Sequence, residues 1–450
     1  MNLRNAIDNS PMGGTQWSIV ILATIINALD GYDILAMAFT ANPVQKEFGL
    51  NGSQLGMLLS SGLVGMALGA LIFGPVADKI GRRNVLLLSL VLNIAGLALS
   101  ATAGSAIVLA LWRVVTGLGI GGILACITVL VSEFSNNKHR GMAISIYAAG
   151  YGLGATFGGM GAGKLIPSMG WHSVFVAGAI LSAIALVATF FILPESPDFL
   201  YQKQPANAQE QLRSIARRIG KQDTVTDYEL PAAHSLPRVH IKDLLTTQMR
   251  STSLKIWAAF FIIMFGFYFA SSWTPKLLVE VGMSERQGIW GGIALTFGGT
   301  IGALLYGLLS TKFDNLRLLM TFIVLSAITL VVFIYGTSLP TVALLAAVLV
   351  GMLMNGCISG MYTITPTSYP SHLRTSGMGA GLGIGRAGAI LAPTVVGALL
   401  DAGWTPQHLY TAVAVVVFLG TFVLIGLKPY LGDDSAAADD AASSPEPQPA

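Results

Sequence analysis

The sequence predicts an all-α membrane protein of twelve transmembrane helices in two six-helix bundles, and three observations predict it. Of 450 residues, 53% are apolar and only 10% charged, whereas an ordinary soluble domain carries roughly a quarter charged residues. The apolar residues gather in uncharged runs, each matching the about 20 residues that cross a bilayer core. Matching motifs also recur at corresponding places in the two halves. Peptide groups in hydrocarbon have no water to bond, so each run is expected to be a helix that satisfies its own backbone.

The runs fall at 17–40, 53–76, 84–103, 106–132, 141–164 and 171–193, then at 253–280, 286–310, 316–337, 340–366, 375–400 and 406–428. This divides the chain into an N-terminal bundle (1–193), a polar central loop (194–252), a C-terminal bundle (253–430) and a tail (431–450) of Asp, Ala, Ser and Pro that is expected to be disordered. Within the loop, 206–220 reads as a basic amphipathic helix lying against the membrane surface. The first sixteen residues lack a charged segment leading to a small-residue cleavage site, so the first run is expected to be retained. An even number of spans puts both ends on one side. Most of the 25 Lys and Arg lie on that side, and only Lys46, Lys164, Lys276 and Arg286 lie in the opposite loops, so both termini are expected to be cytoplasmic.

The repeat is read from two frames. Gly65, Gly74, Asp78, Lys79, Gly81, Arg82 and Arg83 form a pattern whose second copy runs Gly298, Gly307, Thr311 and Lys312; Ser132, Glu133 and Arg140 align with Pro366, Thr367 and Arg374. Duplicated halves of this kind hold a site between them in many carriers. The charges at these helix ends, Asp78, Lys79, Arg82, Arg83, Glu133, Arg140 and Arg374, are candidate gating residues that bridge one face shut and release it. Plain orientation by positive charge accounts for the basic ones as well, but not for Asp78 or Glu133.

Charges inside spans are costly, roughly 2.5–3.5 kcal/mol each on insertion scales, and so mark a partner, a hydrated cavity or a proton site. Asp30 and Asp33 lie three residues apart on one helix face, where two carboxylates raise each other's proton affinity. They are candidate proton carriers, with a structural pairing to Arg as the alternative. Arg386 lies well inside the eleventh run among Gly383, Gly385 and Gly388. Its planar guanidinium suits bidentate binding of a carboxylate, and neutralisation by Asp30 or Asp33 is again the alternative. Arg113 lies near a span end, where it either snorkels to the surface or joins the coupling set.

The run from Gly65 to Arg83 resembles the signature between the second and third helices of the major facilitator superfamily. Arg113 with Gly117, Gly119, Gly121 and Gly122 is similar to that family's next motif, and Pro194-Glu195-Ser196-Pro197 to its sixth-helix exit. Asp30-Gly31-Tyr32-Asp33, Ser272-Trp273 with Pro275, and Gly385-Arg386 with Gly388 resemble the aromatic acid:proton symporter family within it. The resemblance implies a bacterial inner-membrane protein that imports a small organic anion, most concretely an aromatic carboxylate such as benzoate or a hydroxybenzoate, together with protons. Asp30, Asp33 and Arg113 would then couple protons, Arg386 would hold the anion, and Trp273 and Tyr151 would stack on its ring. A proton-antiport exporter and a membrane sensor are the alternatives. No cofactor, metal or nucleic-acid partner is expected: Cys126, Cys357 and the six histidines show no ligand spacing, and no nucleophile and base lie together as an enzyme requires. The protein is expected to act as a monomer in the bilayer.

Overall fold

The computed structural model describes residues 3–222, 241–370 and 373–427. Twelve long helices follow in order: α1 Gly14–Phe48, α2 Gly52–Ile80, α3 Arg82–Ser100, α4 Ala106–Phe134, α5 Arg140–Met169, α6 His172–Ile192, α7 Arg250–Glu280, α8 Glu285–Leu309, α9 Asn315–Tyr335, α10 Pro340–Thr367, α11 Arg374–Asp401 and α12 Pro406–Leu424. Among the described residues, eleven helices are long and apolar enough to cross a bilayer. The twelfth, α5, is 30 residues long, about 45 Å at 1.5 Å per residue, and its many glycines lower its hydropathy without shortening it. The predicted tail and the histidines at 234, 240 and 372 lie outside the described residues.

Helix ends follow local chemistry. The Asn51 side chain accepts the Gln54 N–H at 2.8 Å while Gln54 accepts the Asn51 N–H at 3.0 Å, a reciprocal cap that starts α2. Gly49, Gly81 and Gly170 take φ of 62°, 103° and 76° and so end α1, α2 and α5 in backbone that side chains disfavour. The first helix runs further than the expected 17–40. Ala41 and Val44 are fully buried, so packing carries it past Asn42 and Pro43 to Gly49.

The two halves pack alike. In the first, α2 lies against α4, α1 against α5, α3 against α4 and α6; in the second, α8 lies against α10, α7 against α11, α9 against α10 and α12. Each contact reappears six helices later, the expected consequence of an internal repeat. The close approaches repeat as well. Gly65 and Gly69 seat on the carbonyls of Val114 and Leu118, and Gly298 and Gly302 on those of Val348 and Met352, where any side chain would push the helices apart. Between the halves, α2 packs on α11 and α5 on α8.

The amphipathic helix is present as Ala208–Arg218, but its apolar side does not face lipid. Leu212, Ile215 and Ala216 are buried in a core shared with Ile7, Phe134 and Leu200 at the terminal face of the first half. Short helices Leu3–Asn9 and Pro197–Lys203 complete that core. At seven residues each they are too short to show a period in sequence.

Candidate functional site

The central residues sit where α1, α4, α5, α7, α10 and α11 converge. On α1, Asp30 and Asp33 are one turn apart, and their neighbours separate their roles. Asp33 faces α4: its carboxylate accepts Arg113 Nη1 at 2.6 Å and Nη2 at 3.0 Å, and its carbonyl accepts Nη2 at 3.1 Å. The two side chains are 1% and 3% exposed, and the Phe175 ring centroid lies 5.6 Å from the guanidinium carbon. Arg113 therefore does not snorkel. The cavity beside this pair is about 20 Å³, room for one water. Removing either partner of such a pair leaves an uncompensated buried charge, at a cost of about 3–5 kcal/mol.

Asp30 has no such partner among the described residues. It is 5% exposed, and its Oδ1 is fully buried without a hydrogen bond. A buried carboxylate oxygen in that state demands a proton, a water or a cation. The charged groups it senses most strongly are Arg386 and then Asp33, yet among the described residues no ion pair joins Asp30 to Arg386. Arg386 reaches in from α11, half-buried, with Nη1 donating to the Tyr268 hydroxyl at 2.9 Å. Its remaining guanidinium donors have no protein partner among the described residues.

Aromatic side chains surround these two charges. Gly31 lies directly on the Tyr151 carbonyl, so the missing side chain lets α5 close on α1 and sets Tyr151 within electrostatic reach of Asp30, Arg386 and Tyr268. Tyr362 on α10, 44% exposed, lies within electrostatic reach of Arg386, and Tyr147 within that of Asp30 and Tyr362. Tyr151 also lines a cavity of about 170 Å³ with Phe267, Leu295, Thr296, Thr300 and Asn355, comparable to one that admits a single benzene ring. Trp273, by contrast, is 0% exposed, and its Nε1 donates to the Pro393 carbonyl at 3.3 Å. It packs α7 against α11 in this conformer. Of the three glycines near Arg386, Gly388 meets the Phe261 backbone closely, while Gly383 faces open space.

The two halves are held together at the face opposite the termini. Opposite the termini, the Asp401 carboxylate on α11 accepts the Gly52 and Ser53 N–H groups of α2 at 2.6 and 2.8 Å and the Ser53 hydroxyl at 2.5 Å. A carboxylate from one half thus caps a helix N-terminus of the other, where the partial positive charge favours it. Lys46 pairs with Glu285 at 2.6 Å. One level deeper, the Ser60 hydroxyl donates to the Ile390 carbonyl at 2.7 Å. Toward the terminal face, a methyl group built on Gly74, Gly379 or Gly383 would meet nothing.

Among the described residues, none of the seven predicted gating residues joins the two halves in this conformer. Arg82 pairs with Glu133, and Ser196 donates to Glu133 Oε2 and accepts Arg82 Nη1 at 3.1 Å. The Arg83 side chain donates to the Leu193 and Phe190 carbonyls at 2.7 and 2.8 Å. Arg140 pairs with Asp8, and Arg374 donates to the Tyr369 carbonyl at 3.3 Å. Asp78 and Lys79 are exposed, with no ion pair among the described residues. The sequence reading missed Tyr147, Tyr268, Tyr362, Asn355 and the Asp401 latch. The available signal for the tyrosines was a hydroxyl within an apolar run; Asp401 looks like any surface acid.

A pair of matching six-helix halves, latched together at one face around buried charges and aromatic side chains, defines a membrane carrier. The model of the Major Facilitator Superfamily matches residues 20–303 and 256–447, and the chain belongs to that superfamily. It is 31% identical to the 4-hydroxybenzoate transporter PcaK of Pseudomonas aeruginosa, over 94% of this chain and 95% of that one. It is 30% identical to a gallate transporter of Pseudomonas putida, over 94% of each, and 27% identical to a benzoate transport protein of Acinetobacter baylyi, over 93% of this chain and 91% of that one. Among solved structures, the inward open conformation of the xylose transporter XylE from E. coli matches with a TM-score of 0.73 at 18% identity, covering 92% of this chain and 96% of that one, a likeness of fold. The chain is a multi-pass membrane transporter rather than an enzyme.

The latch leads to a direct expectation. Asp401→Ala removes three cross-half hydrogen bonds, so the sealed face should open more often. A cysteine placed at Ser60, beneath the latch, should then react several-fold faster with a membrane-impermeant maleimide added on that side. An unchanged rate would show that the latch does not hold this face.

Proposed function

We propose that this chain imports a small aromatic carboxylate together with protons across a bacterial inner membrane, by alternating access and with both termini in the cytoplasm. The observation that carries the reading is the presence, one in each half, of a buried Asp30 oxygen without a hydrogen bond and an Arg386 guanidinium without an ion pair among the described residues. The named substrates of the relatives, 4-hydroxybenzoate, gallate and benzoate, fit a chamber that offers one cation and several aromatic faces.

In the proposed cycle the outward-facing carrier takes a proton on Asp30 and the substrate carboxylate on Arg386. Protonation removes the anion that would otherwise compete for the guanidinium, so the two ligands favour each other. Closure follows only if the doubly loaded state binds them better than the open one. The face opposite the termini then latches through Asp401, as it does here, and the terminal face parts to release both to the cytoplasm. Asp33 and Arg113 keep α1 and α4 in register throughout and shape the field around Asp30. Tyr151 supplies a stacking surface, and Trp273 supports the α7–α11 contact behind it. Asp78, Lys79 and Arg374 are the gate residues free to bridge the terminal face when it closes, while Arg82, Arg83, Glu133 and Arg140 brace it from within the first half.

Uptake of labelled benzoate and 4-hydroxybenzoate into proteoliposomes tests this reading. Accumulation is expected only with an inward proton gradient, and dissipating the gradient should leave exchange alone. Accumulation indifferent to the gradient, or no uptake of any aromatic acid, would overturn it.

A further inference from the structure

The cavity that Tyr151 shares with α7, α8 and α10 has a polarity of its own. Most of its side-chain donors are already used. Asn355 Nδ2 donates to the Gly299 carbonyl at 2.7 Å, Thr300 Oγ1 to the Thr296 carbonyl at 3.3 Å, Thr296 Oγ1 to the Ile293 carbonyl at 3.0 Å, and Ser145 Oγ to the Gly141 carbonyl at 2.9 Å. A hydroxyl has one proton to give, and an amide has two N–H donors beside its accepting oxygen, of which Asn355 has one N–H engaged. Apart from the Tyr151 hydroxyl and the second Asn355 N–H, then, these polar side chains offer lone pairs. The rest of the wall includes Phe267, Leu295 and Leu304.

Arg386 has the opposite character, a fork of donors with only one engaged among the described residues. Tyr151 belongs to both regions, lining the cavity and lying within electrostatic reach of Arg386 and Asp30. It thus stands between a donor end at Arg386 and an acceptor-rich end at Asn355 and Thr300. A ligand that satisfies both ends carries a carboxylate at one edge of its ring and a hydrogen-bond donor at the other.

We propose that Asn355, assisted by Thr300, is a specificity-determining residue that selects ring-hydroxylated aromatic acids over unsubstituted ones by accepting the phenolic proton; this rests on the functional reading above. An acid without a ring donor leaves the Asn355 oxygen to water, whereas a hydroxylated ring replaces that water with its own O–H. A methyl ether matches the hydroxyl oxygen in place but has no proton to donate, so it separates recognition of the donor from recognition of size.

The test measures competition by benzoate, 4-hydroxybenzoate and 4-methoxybenzoate for uptake in the same proteoliposomes, so that protein amount cancels in the ratios. The wild-type protein is expected to favour 4-hydroxybenzoate about fivefold over the other two, in keeping with one net hydrogen bond. Asn355→Leu should bring that preference close to one. If Asn355→Leu inserts poorly, Thr300→Val, nearly isosteric, should still reduce the preference. A wild-type protein that prefers the hydroxylated acid while both variants keep the full preference would overturn this inference alone, as would a wild-type preference shared equally by the methyl ether. A wild-type protein that carries none of the three acids would overturn the functional reading instead.

Discussion

Asp30→Asn is expected to abolish gradient-driven accumulation while leaving exchange of the substrate across the membrane measurable. The substitution keeps the shape of the side chain and removes its ability to carry a proton. One proton moved with each anion sets about tenfold accumulation per pH unit of gradient, since a pH unit is worth about 1.36 kcal/mol; without it the ratio falls to about one. Asp30 is chosen over Asp33 on geometry. The Asp33 carboxylate is held by two Arg113 nitrogens in a space that fits one water, whereas Asp30 has a bare oxygen beside the chamber. Measuring steady-state accumulation against an imposed pH difference checks this, and counterflow in the same vesicles shows whether the carrier still turns over. Accumulation that still tracks the gradient in the variant would remove Asp30 from the coupling role.

The second large effect concerns Arg386. Arg386→Ala should weaken substrate affinity by about two orders of magnitude or more, the range found when one member of a desolvated charge pair is deleted. Arg386→Lys keeps the charge but not the planar fork, nor the geometry of its bond to the Tyr268 hydroxyl, and should lose about tenfold. Competition binding to the purified protein separates these losses from effects on turnover. Unchanged affinity in Arg386→Ala would place the anion elsewhere.

The sequence revealed the fold well because two strong physical constraints acted on it. Bilayer thickness sets the length of each span, and the internal repeat makes the second half a check on the first, down to Gly65 and Gly298 serving the same contact. It revealed the charged core of the site for a related reason: Asp30, Asp33, Arg113 and Arg386 stand out in apolar runs because burial makes them costly. What it could not reveal was who faces whom. That Asp33 takes Arg113 and leaves Asp30 to Arg386 depends on the rotation of α1 against α4 and α11, which a helical period alone does not set. Tyr268 and Tyr362 were invisible for another reason. A tyrosine in a span is as much at home in packing or at the interface as in a chamber, and only the position of Arg386 distinguishes them. Trp273 shows the converse, a conspicuous aromatic whose indole is occupied by the Pro393 carbonyl. The basic helix Ala208–Arg218 had the composition of a surface-bound segment, yet its apolar side is matched by Ile7 and Leu200, partners too distant in sequence to be inferred.

The central claim is that proton and anion occupy one chamber and cross together, and the most direct measurement is the proton itself. Proteoliposomes loaded with a pH-sensitive dye, given 4-hydroxybenzoate outside with no imposed gradient, should acidify inside as the wild-type protein carries the acid inward. The Asp30→Asn protein should exchange labelled substrate without that acidification. Equal acidification by the two proteins, or substrate entry into wild-type vesicles with no change in lumenal pH, would contradict the account.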